Sequence, residues 1–321
     1  MTIEAGQITP GYIAGLIDDA YERIQPHLIH TRLLLDQENR LYLKCENEQT
    51  TGSFKWRGAL AKLSLFQPGQ SIVTASTGNH GLGVANAAIL YGLKAKIFIP
   101  STASPQKIEK LVKLGADITK VDGDSLFAET SGKAYAAQHG LPWVSPYNDA
   151  DVISGQGTIG FELTKDLPEV NKVYITVGGG GLISGIGSWV KSEIPNVKVI
   201  GCQPLNSPEM YLSVQAGHVV NAPEELPTLS DGSAGPLEED SITFPLCRTL
   251  VDRFILVTES EIEEAIRYLY QNHQLVVEGA AGVAMAAAMK DAKHVPGEQS
   301  VVILCGGNID PAVHRRICNP S

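Results

Sequence analysis

Hydrophobic positions recur along the chain with two periods that alternate, one typical of strands and one typical of helices. Alternating or continuous apolar runs predict strands at 40–48, 71–76, 94–100, 117–123, 172–177, 197–203, 253–257 and 300–308. Helical spacing predicts helices at 55–66, 81–92, 105–116, 125–140, 158–167, 182–193 and 280–292, and another after the capping-box-like sequence TESE at 258–261. Strands and helices that follow each other in this way predict an α/β fold with parallel sheets and helices on both faces.

Two segments interrupt this pattern. The sequence PWVSPYNDADVISGQG at 142–157 shows neither period clearly, and a helix is predicted only after it. The segment 204–250 is richer in proline, serine and acidic residues and is less regular than the rest of the chain. We therefore expect 204–250 to lie over a surface or a site.

The composition excludes several classes of partner. Of the 321 residues, 43% are hydrophobic and 19% are charged, as in ordinary globular proteins with a sizeable core. The net charge is −10 and the basic residues are scattered, unlike in proteins that bind nucleic acid or an anionic membrane. The N-terminal sequence has no basic-then-apolar run, and no apolar stretch reaches the roughly 20 residues that span a bilayer. A small-molecule partner is therefore expected.

The cysteines indicate a reducing compartment. They are odd in number, lie far apart and form no C-x-x-C pair, which does not suit a disulfide framework. The five are Cys45, Cys202, Cys247, Cys305 and Cys318. We expect a cytoplasmic protein.

Three predicted strands end in unusual glycine-containing turns. These are IVTASTGNHG at 72–81, VYITVGGGGLISG at 173–185 and VVILCGGN at 301–308. In open α/β sheets, ligands bind outside the carboxyl ends of the strands. We therefore expect the three turns to surround one site.

The four glycines from Gly178 to Gly181 predict an anion site. Between a strand and a helix, missing side chains let backbone N–H groups approach a phosphate, and the helix dipole adds partial positive charge. The run lacks both G-x-x-x-x-G-K-[ST] and G-x-G-x-x-G, and Gln203 stands where a ribose-binding acid would be expected. A small cofactor with one phosphate remains.

A lysine suited to such a cofactor lies in the sequence TTGSFKWRGAL at 51–61, where Lys55 stands between Phe54 and Trp56. An isolated lysine of this kind would be an ordinary surface residue whose stem lies on the rings. Pyridoxal phosphate, however, needs both a phosphate site and a lysine that binds its aldehyde. This pairing favours Lys55 as a nucleophile.

Several motifs then resemble one known family. They are SFKWRGA at 53–59, STGNHG at 76–81, GQGT at 155–158, GGGGLISG at 178–185, EGAAG at 278–282 and CGGN at 305–308. Their order and spacing resemble the β-family, or fold type II, pyridoxal-phosphate enzymes, and within these the serine/threonine dehydratases and serine racemases. The sequences TLSDGSAG at 228–235 and EGAAGVAMAA at 278–287 are most similar to those of hydroxyectoine-utilisation dehydratases.

The resemblance implies an architecture. It implies two open parallel-sheet α/β domains, a large cofactor-binding one from 1–69 and 149–321 and a small one from 70–148 that closes over the substrate. It also implies a homodimer. We expect no C-terminal regulatory domain of the kind that the longer biosynthetic threonine dehydratases carry.

The resemblance also implies cofactor contacts. Lys55 would bind the cofactor covalently and, once released, act as the base that removes the Cα proton. Phe54 would lie against the cofactor ring, Asn79 would bind its hydroxyl group, and Cys305 would face the pyridine nitrogen. Packing in the core is the alternative for Phe54 and Cys305. The other expected cofactor contacts are Gly178, Gly179, Gly180, Gly181, Leu182 and Glu278.

The substrate contacts follow from the same resemblance. A loop formed by Ser76, Thr77, Asn79 and His80 would receive the substrate carboxylate, and Gly232 lies in the segment expected to contact the side chain. Thr77 would be a second catalytic residue.

No metal is expected. The histidines show no metal-ligand spacing. Some relatives bind a divalent cation after the strand equivalent to 197–203. Here that strand ends in Gln203 and only Glu209 is acidic nearby, a poor set for a hard cation.

The predicted activity is that of an ammonia-lyase, which eliminates the β-hydroxyl of serine, threonine or a similar amino acid to give a 2-oxo acid and ammonia. Racemisation is the first alternative, with Thr77 serving the face of the carbanion opposite Lys55. β-Replacement, as in cysteine synthases, is disfavoured by His80. A pyridoxal-phosphate-binding protein without turnover is disfavoured by Lys55.

Overall fold

The computed structural model describes residues 7–221, 226–291 and 297–319. Nine strands lie in these ranges: β1 Leu33–Asp36, β2 Leu41–Lys44, β3 Ser71–Ala75, β4 Lys94–Pro100, β5 Asp117–Val121, β6 Lys172–Thr176, β7 Lys198–Pro204, β8 Arg253–Val257 and β9 Ser300–Ile303. The α-helices of these ranges are α1 Pro10–Ile24, α2 Lys55–Leu63, α3 Asn79–Leu90, α4 Pro105–Lys113, α5 Ser125–His139, α6 Ala150–Asp166, α7 Gly181–Glu193, α8 Glu209–Ala216, α9 Thr243–Leu250, α10 Glu259–His273, α11 Gly279–Lys290 and α12 Pro311–Cys318. None of these helices is long and apolar enough to cross a membrane.

The strands form two separate sheets. The larger has the order β1-β2-β9-β6-β7-β8, and all its neighbouring strands are parallel except β1, which runs antiparallel to β2 at the edge. The smaller sheet, β3-β4-β5, is parallel throughout. The predicted fold class is confirmed, and the antiparallel edge strand is a departure from it. Both sheets bury apolar side chains against helices.

Helix α6 begins eight residues before the predicted start at 158. Its N-cap, Asp149, accepts hydrogen bonds from the backbone N–H groups of the next turn. The glycines of GQGT, which interrupt the helical pattern of the sequence, allow close helix packing. A Cβ on Gly155 would lie 2.5 Å from the carbonyl oxygen of Arg57, and one on Gly157 would lie 3.0 Å from that of Gly185.

The segment 204–250 is less irregular than expected, since α8 and α9 lie within it. Helices α1 and α12 and strand β1 are also absent from the prediction. Thr9 and Pro10 start α1, and Asp310 and Pro311 start α12, as an N-cap and a first helical residue. The capping box predicted at 258–261 opens α10.

A buried ion network fixes α2, the helix that begins at Lys55. Arg57, fully buried, donates two hydrogen bonds of 2.8 Å to Glu46 and bonds of 2.8 and 2.9 Å to Glu162 on α6. Lys44 on β2 donates to the same Glu162 carboxylate at 2.8 Å. Charge-assisted bidentate bonds are geometrically specific, so the network fixes α2 relative to the larger sheet.

Candidate active site

A cavity of about 390 Å³ lies between the two sheets, at the carboxyl ends of β3, β6 and β9. The three glycine-containing turns therefore surround one site, as predicted. The sequence-predicted residues that line it are Phe54, Lys55, Asn79, His80, Gly178, Gly179, Gly180, Gly181, Leu182, Gly232, Glu278 and Cys305. Ser76 and Thr77 lie in the loop before α3 and are not among the lining residues.

Lys55 enters this cavity from the first turn of α2. The preceding backbone is tied to the turn after β9, since Phe54 N–H donates to the Cys305 carbonyl at 3.0 Å. The Lys55 Nζ donates to the Pro146 carbonyl at 2.7 Å and lies 5.2 Å from the centre of the Phe54 ring. Burial lowers the pKa of Lys55 to about 8 although Cys305 and Glu278 act in the opposite direction. A substantial fraction of this amine is therefore neutral near physiological pH.

The loop from Gly178 to Gly181 forms an open cradle of backbone N–H groups. A side chain at Gly179 would meet the Tyr147 ring, since its Cβ would lie 2.4 Å away, and Gly180 has a φ of +85° that favours glycine. The Gly179 carbonyl accepts from the hydroxyl of Thr243 at 2.5 Å. Within the described chain, the N–H groups of Gly178 to Leu182 donate to no protein acceptor. Together with the start of α7 they suit a phosphate.

Glu278 and Asn79 form a polar pair in the cavity wall. The Asn79 amide donates to both Glu278 carboxylate oxygens at 2.8 and 2.9 Å and accepts from Asn308 at 2.7 Å. Burial raises the pKa of Glu278 to about 7, although the Asn79 hydrogen bond lowers it. The contact of Asn79 with the cofactor hydroxyl stays a prediction; in the structure its amide orients Glu278.

Cys305 lies in the cavity wall, two residues after the end of β9. Its side chain is buried, and burial together with the charge of Glu278 raises the pKa of the thiol well above its usual range. The group is therefore a neutral thiol, able to form a hydrogen bond with a ring nitrogen but unable to supply a negative charge.

The N-terminus of α3 differs from the predicted loop, because Asn79 and His80 already belong to the helix. His80 is buried, its Nε2 lies 2.9 Å from Thr74 Oγ1, and burial followed by the charge of Lys55 lowers its pKa to about 3. Its ring is therefore neutral and lies against the end of β3. Ser76 Oγ accepts from the Gly78 N–H at 3.1 Å, which shapes the loop.

Several lining residues carry no signal in the sequence. Pro146 and Tyr147 come from the segment 142–157, which shows neither the strand period nor the helix period. Glu129 stands four residues before Lys133, the spacing of an ordinary ion pair on a helix surface. Tertiary contacts bring them to the site, since the Tyr147 ring packs against Gly179 and the Pro146 carbonyl accepts from Lys55 Nζ. The other lining residues that were not predicted individually are Asp124, Ser125, Leu126, Thr176, Ser233, Ala234, Gly235, Pro236 and Ala280. Of these, 233–236 lie in the segment 204–250 that was expected to lie over a surface or a site.

The polar side chains at the end of β7 and after it form hydrogen bonds with neighbouring protein groups. Gln203 accepts from the backbone N–H of Tyr211 at 2.7 Å, and Glu209 accepts from the hydroxyl of Ser207 at 2.6 Å. Across residues 7–221, 226–291 and 297–319, no group of three or more His, Cys, Asp or Glu side chains is arranged to hold a metal ion.

Known proteins match almost the whole chain. A family model described as pyridoxal-phosphate dependent enzyme matches residues 24–306. The L-threonine ammonia-lyase of Thermotoga maritima is 43% identical over 284 residues, which cover 87% of this chain and 70% of that protein.

Two solved structures share the fold. The processed form of threonine deaminase isoform 2 from Solanum lycopersicum has a TM-score of 0.88 at 32% identity, covering 95% of this chain and 87% of that one. Maize serine racemase has a TM-score of 0.87 at 30% identity, covering 94% of each chain. The predicted cofactor is confirmed by the family match, and the cradle, Lys55 and Cys305 fit it. This chain therefore belongs to the pyridoxal-phosphate-dependent enzymes.

Proposed function

We propose that this enzyme is an ammonia-lyase that eliminates the β-hydroxyl group of an amino acid such as serine or threonine, giving a 2-oxo acid and ammonia. The proposal depends mainly on the position and the lowered pKa of Lys55 in the cavity. Of the described residues that line the cavity it is the only lysine, and burial lowers its pKa to about 8. Such an amine can act first as a nucleophile and then as a general base. The similarity to threonine ammonia-lyases supports the same reaction.

The chain offers separate sites for the two anionic groups. We assign the phosphate of the cofactor to the N–H groups of Gly178 to Leu182, which have no protein acceptor in the described chain. We assign the substrate carboxylate to the start of α3, where Asn79 lines the cavity and directly follows the loop 76–78. Both assignments use the partial positive charge of a helix N-terminus.

When bound, pyridoxal phosphate supplies the electron sink that makes the Cα proton acidic. Lys55 accepts that proton at Nζ. Cys305 would face the ring nitrogen as a neutral thiol, which carries no negative charge that would hold that nitrogen protonated. A neutral thiol at this position would withdraw fewer electrons through the ring than a carboxylate–pyridinium pair, which would favour prompt loss of the β-substituent.

Racemisation is the second candidate function, favoured by the similarity to maize serine racemase. It requires acid/base groups on both faces of the planar carbanion, and Lys55 can serve only one. Thr77 is our candidate for the other face. It has a hydroxyl group, but its β-branch restricts χ1, so we expect elimination to dominate.

The test is an assay of L-serine, L-threonine and 3-hydroxyaspartate for 2-oxo acid, with chirality followed in parallel. Lys55→Ala should lower turnover by about a thousandfold or more, because nucleophile and base are both removed. Lys55→Arg, which keeps the positive charge, should be equally inactive. Normal turnover by either variant, or cofactor binding without any 2-oxo acid from the wild type, would disprove the proposal.

We further propose that residues 70–148, which contain the smaller sheet, close over the substrate as a small domain against 1–69 and 149–321. The position of the cavity between the sheets supports this division. We also propose a cytoplasmic homodimer. The family resemblance supports the dimer, and the five free, buried cysteines suit a reducing compartment. Light scattering of the purified protein would measure its mass.

A further inference from the structure

We propose that Glu129 is the general acid that protonates the departing β-hydroxyl group of the substrate. The inference rests on the proposed ammonia-lyase function and adds to it a residue for the step at Cβ. Hydroxide is a poor leaving group, so elimination from serine or threonine needs a proton donor at the oxygen. A positioned acid typically contributes about 10² to 10⁴ in rate to such a step.

Glu129 is placed to act there. It lies on α5, lines the same cavity as Lys55, and its negative charge acts on the Lys55 amine. The side chain is only 20% exposed. Its Oε1 atom is buried and accepts no hydrogen bond from an N–H or hydroxyl group of the described chain. Glu238 Oε1 is buried without a donor as well, so a proton shared between the two carboxyl groups satisfies both atoms until a substrate enters the cavity.

Little positive charge lies near Glu129 to stabilise its ionised form. Lys133, one helical turn further along α5, lies 3.5 Å from Glu129 Oε1 but only 2.5 Å from a carboxylate oxygen of Glu238. Glu238 also accepts from the Asn148 amide at 2.9 Å. Two carboxyl groups thus share one ammonium group, and Glu238 has the shorter contacts.

This arrangement keeps a proton on Glu129. Burial, then the charge of Glu238, raises the pKa of Glu129 to about 7, whereas the contacts with Lys133 and Asn148 outweigh burial at Glu238 and lower its pKa. Like charges that share a site separate their pKa values in this way, and one member of the pair holds the proton. Before substrate binds, Glu129 shares this proton with Glu238 through a hydrogen bond between the two carboxyl groups. Glu129 is the member of the pair that lines the cavity, so it can pass the proton to a substrate there near neutral pH.

Lys55 and Glu129 together account for both proton transfers of the elimination. Lys55 Nζ takes the Cα proton, and the electron pair of that bond becomes the Cα–Cβ double bond. The Cβ–O bond breaks with its pair on oxygen, Glu129 gives its proton to that oxygen, and water leaves. Lys55 is then an ammonium and Glu129 a carboxylate. Transfer of one proton from the first to the second restores both.

A purely structural ion pair would look different. Glu109 and Lys113 on α4 have the same spacing as Glu129 and Lys133, but they are exposed and lie 2.7 Å apart. Their pair faces solvent and needs no other partner. Glu109→Gln is therefore the matched control for Glu129→Gln.

The experiment compares L-serine with β-chloro-L-alanine in the holoenzyme. The two substrates share a carbon skeleton, but chloride leaves as an anion and needs no proton. Glu129→Gln should lower kcat for L-serine by about 100-fold or more and kcat for β-chloro-L-alanine by less than about fivefold. Glu238→Gln, which frees Lys133 to hold Glu129 ionised, should show a smaller loss confined to L-serine. Glu109→Gln should change neither substrate.

Cofactor absorbance and turnover of β-chloro-L-alanine show in each variant that the site is folded and loaded. Losses with the two substrates that differ by less than about tenfold would overturn the assignment, since Glu129 would then serve binding or structure. An unchanged kcat for L-serine would overturn it as well. Failure of the wild type to eliminate either substrate would instead disprove the ammonia-lyase function itself.

Discussion

Replacing Glu278 by glutamine should change how the stability of the cofactor-free protein depends on pH. The side chain is 8% exposed, and burial raises its pKa from the ordinary value of 4.5 to about 7. Between these two values the folded protein keeps the proton and the unfolded chain has lost it. The folded state then binds more protons, so the free energy of unfolding falls as pH rises through this window.

The size of the effect follows from the two pKa values. A difference of about 2.5 pH units corresponds to roughly 3 kcal/mol of stability lost by the wild type between pH 4.5 and 7. Glutamine does not titrate and avoids this loss. It also replaces one of the two oxygens that accept from Asn79, which costs about 1 kcal/mol at any pH. The variant should therefore be the less stable protein near pH 4.5 and the more stable one, by about 2 kcal/mol, at pH 8.

Urea unfolding at 25 °C, followed by tryptophan fluorescence at pH 5, 6, 7 and 8, measures this difference. Asn79→Ala supplies a second variant, because it removes the hydrogen bonds that favour the ionised carboxylate and should move the wild-type transition to higher pH. A difference between Glu278→Gln and the wild type that stays constant over this range would refute the reasoning. It would mean that the buried carboxyl titrates as in the unfolded chain.

Three more changes test other parts of the site. Gly179→Ala should weaken cofactor binding by about tenfold or more in a fluorescence titration, since its Cβ would lie 2.4 Å from the Tyr147 ring; unchanged affinity would contradict the cradle. Arg57→Met should lower the free energy of unfolding, measured in urea, by about 3 to 5 kcal/mol, because the buried carboxylates of Glu46 and Glu162 lose a partner. A loss below about 1 kcal/mol would contradict this. Thr77→Ser should raise the share of D-serine formed from L-serine in chiral chromatography; an unchanged share would argue against a role for residue 77 in the second proton transfer.

The sequence alone determined the order of the elements and the residues that chemistry requires in fixed local patterns. Hydrophobic periodicity predicted β6, α7 and the glycine run between them, because a strand, a close turn and a helix follow each other within 172–193. Lys55, Gly178 to Gly181 and Cys305 stand at the ends of such elements. Their surroundings are set by residues nearby in the chain, so the family and the cofactor could be predicted from motifs.

The tertiary structure decided what depends on contacts between distant segments. Helix α6 continues through Gly155 and Gly157 because neighbouring helices pack directly on them. Helix propensities describe single residues and do not include such packing between helices. Glu129 looks like a surface residue in the sequence. Burial raises its pKa, and Glu238, more than one hundred residues further along the chain, raises it further while competing for the same ammonium group of Lys133. Charge, burial and pKa are properties of such an assembled environment, and the periodicity of a single segment does not contain them.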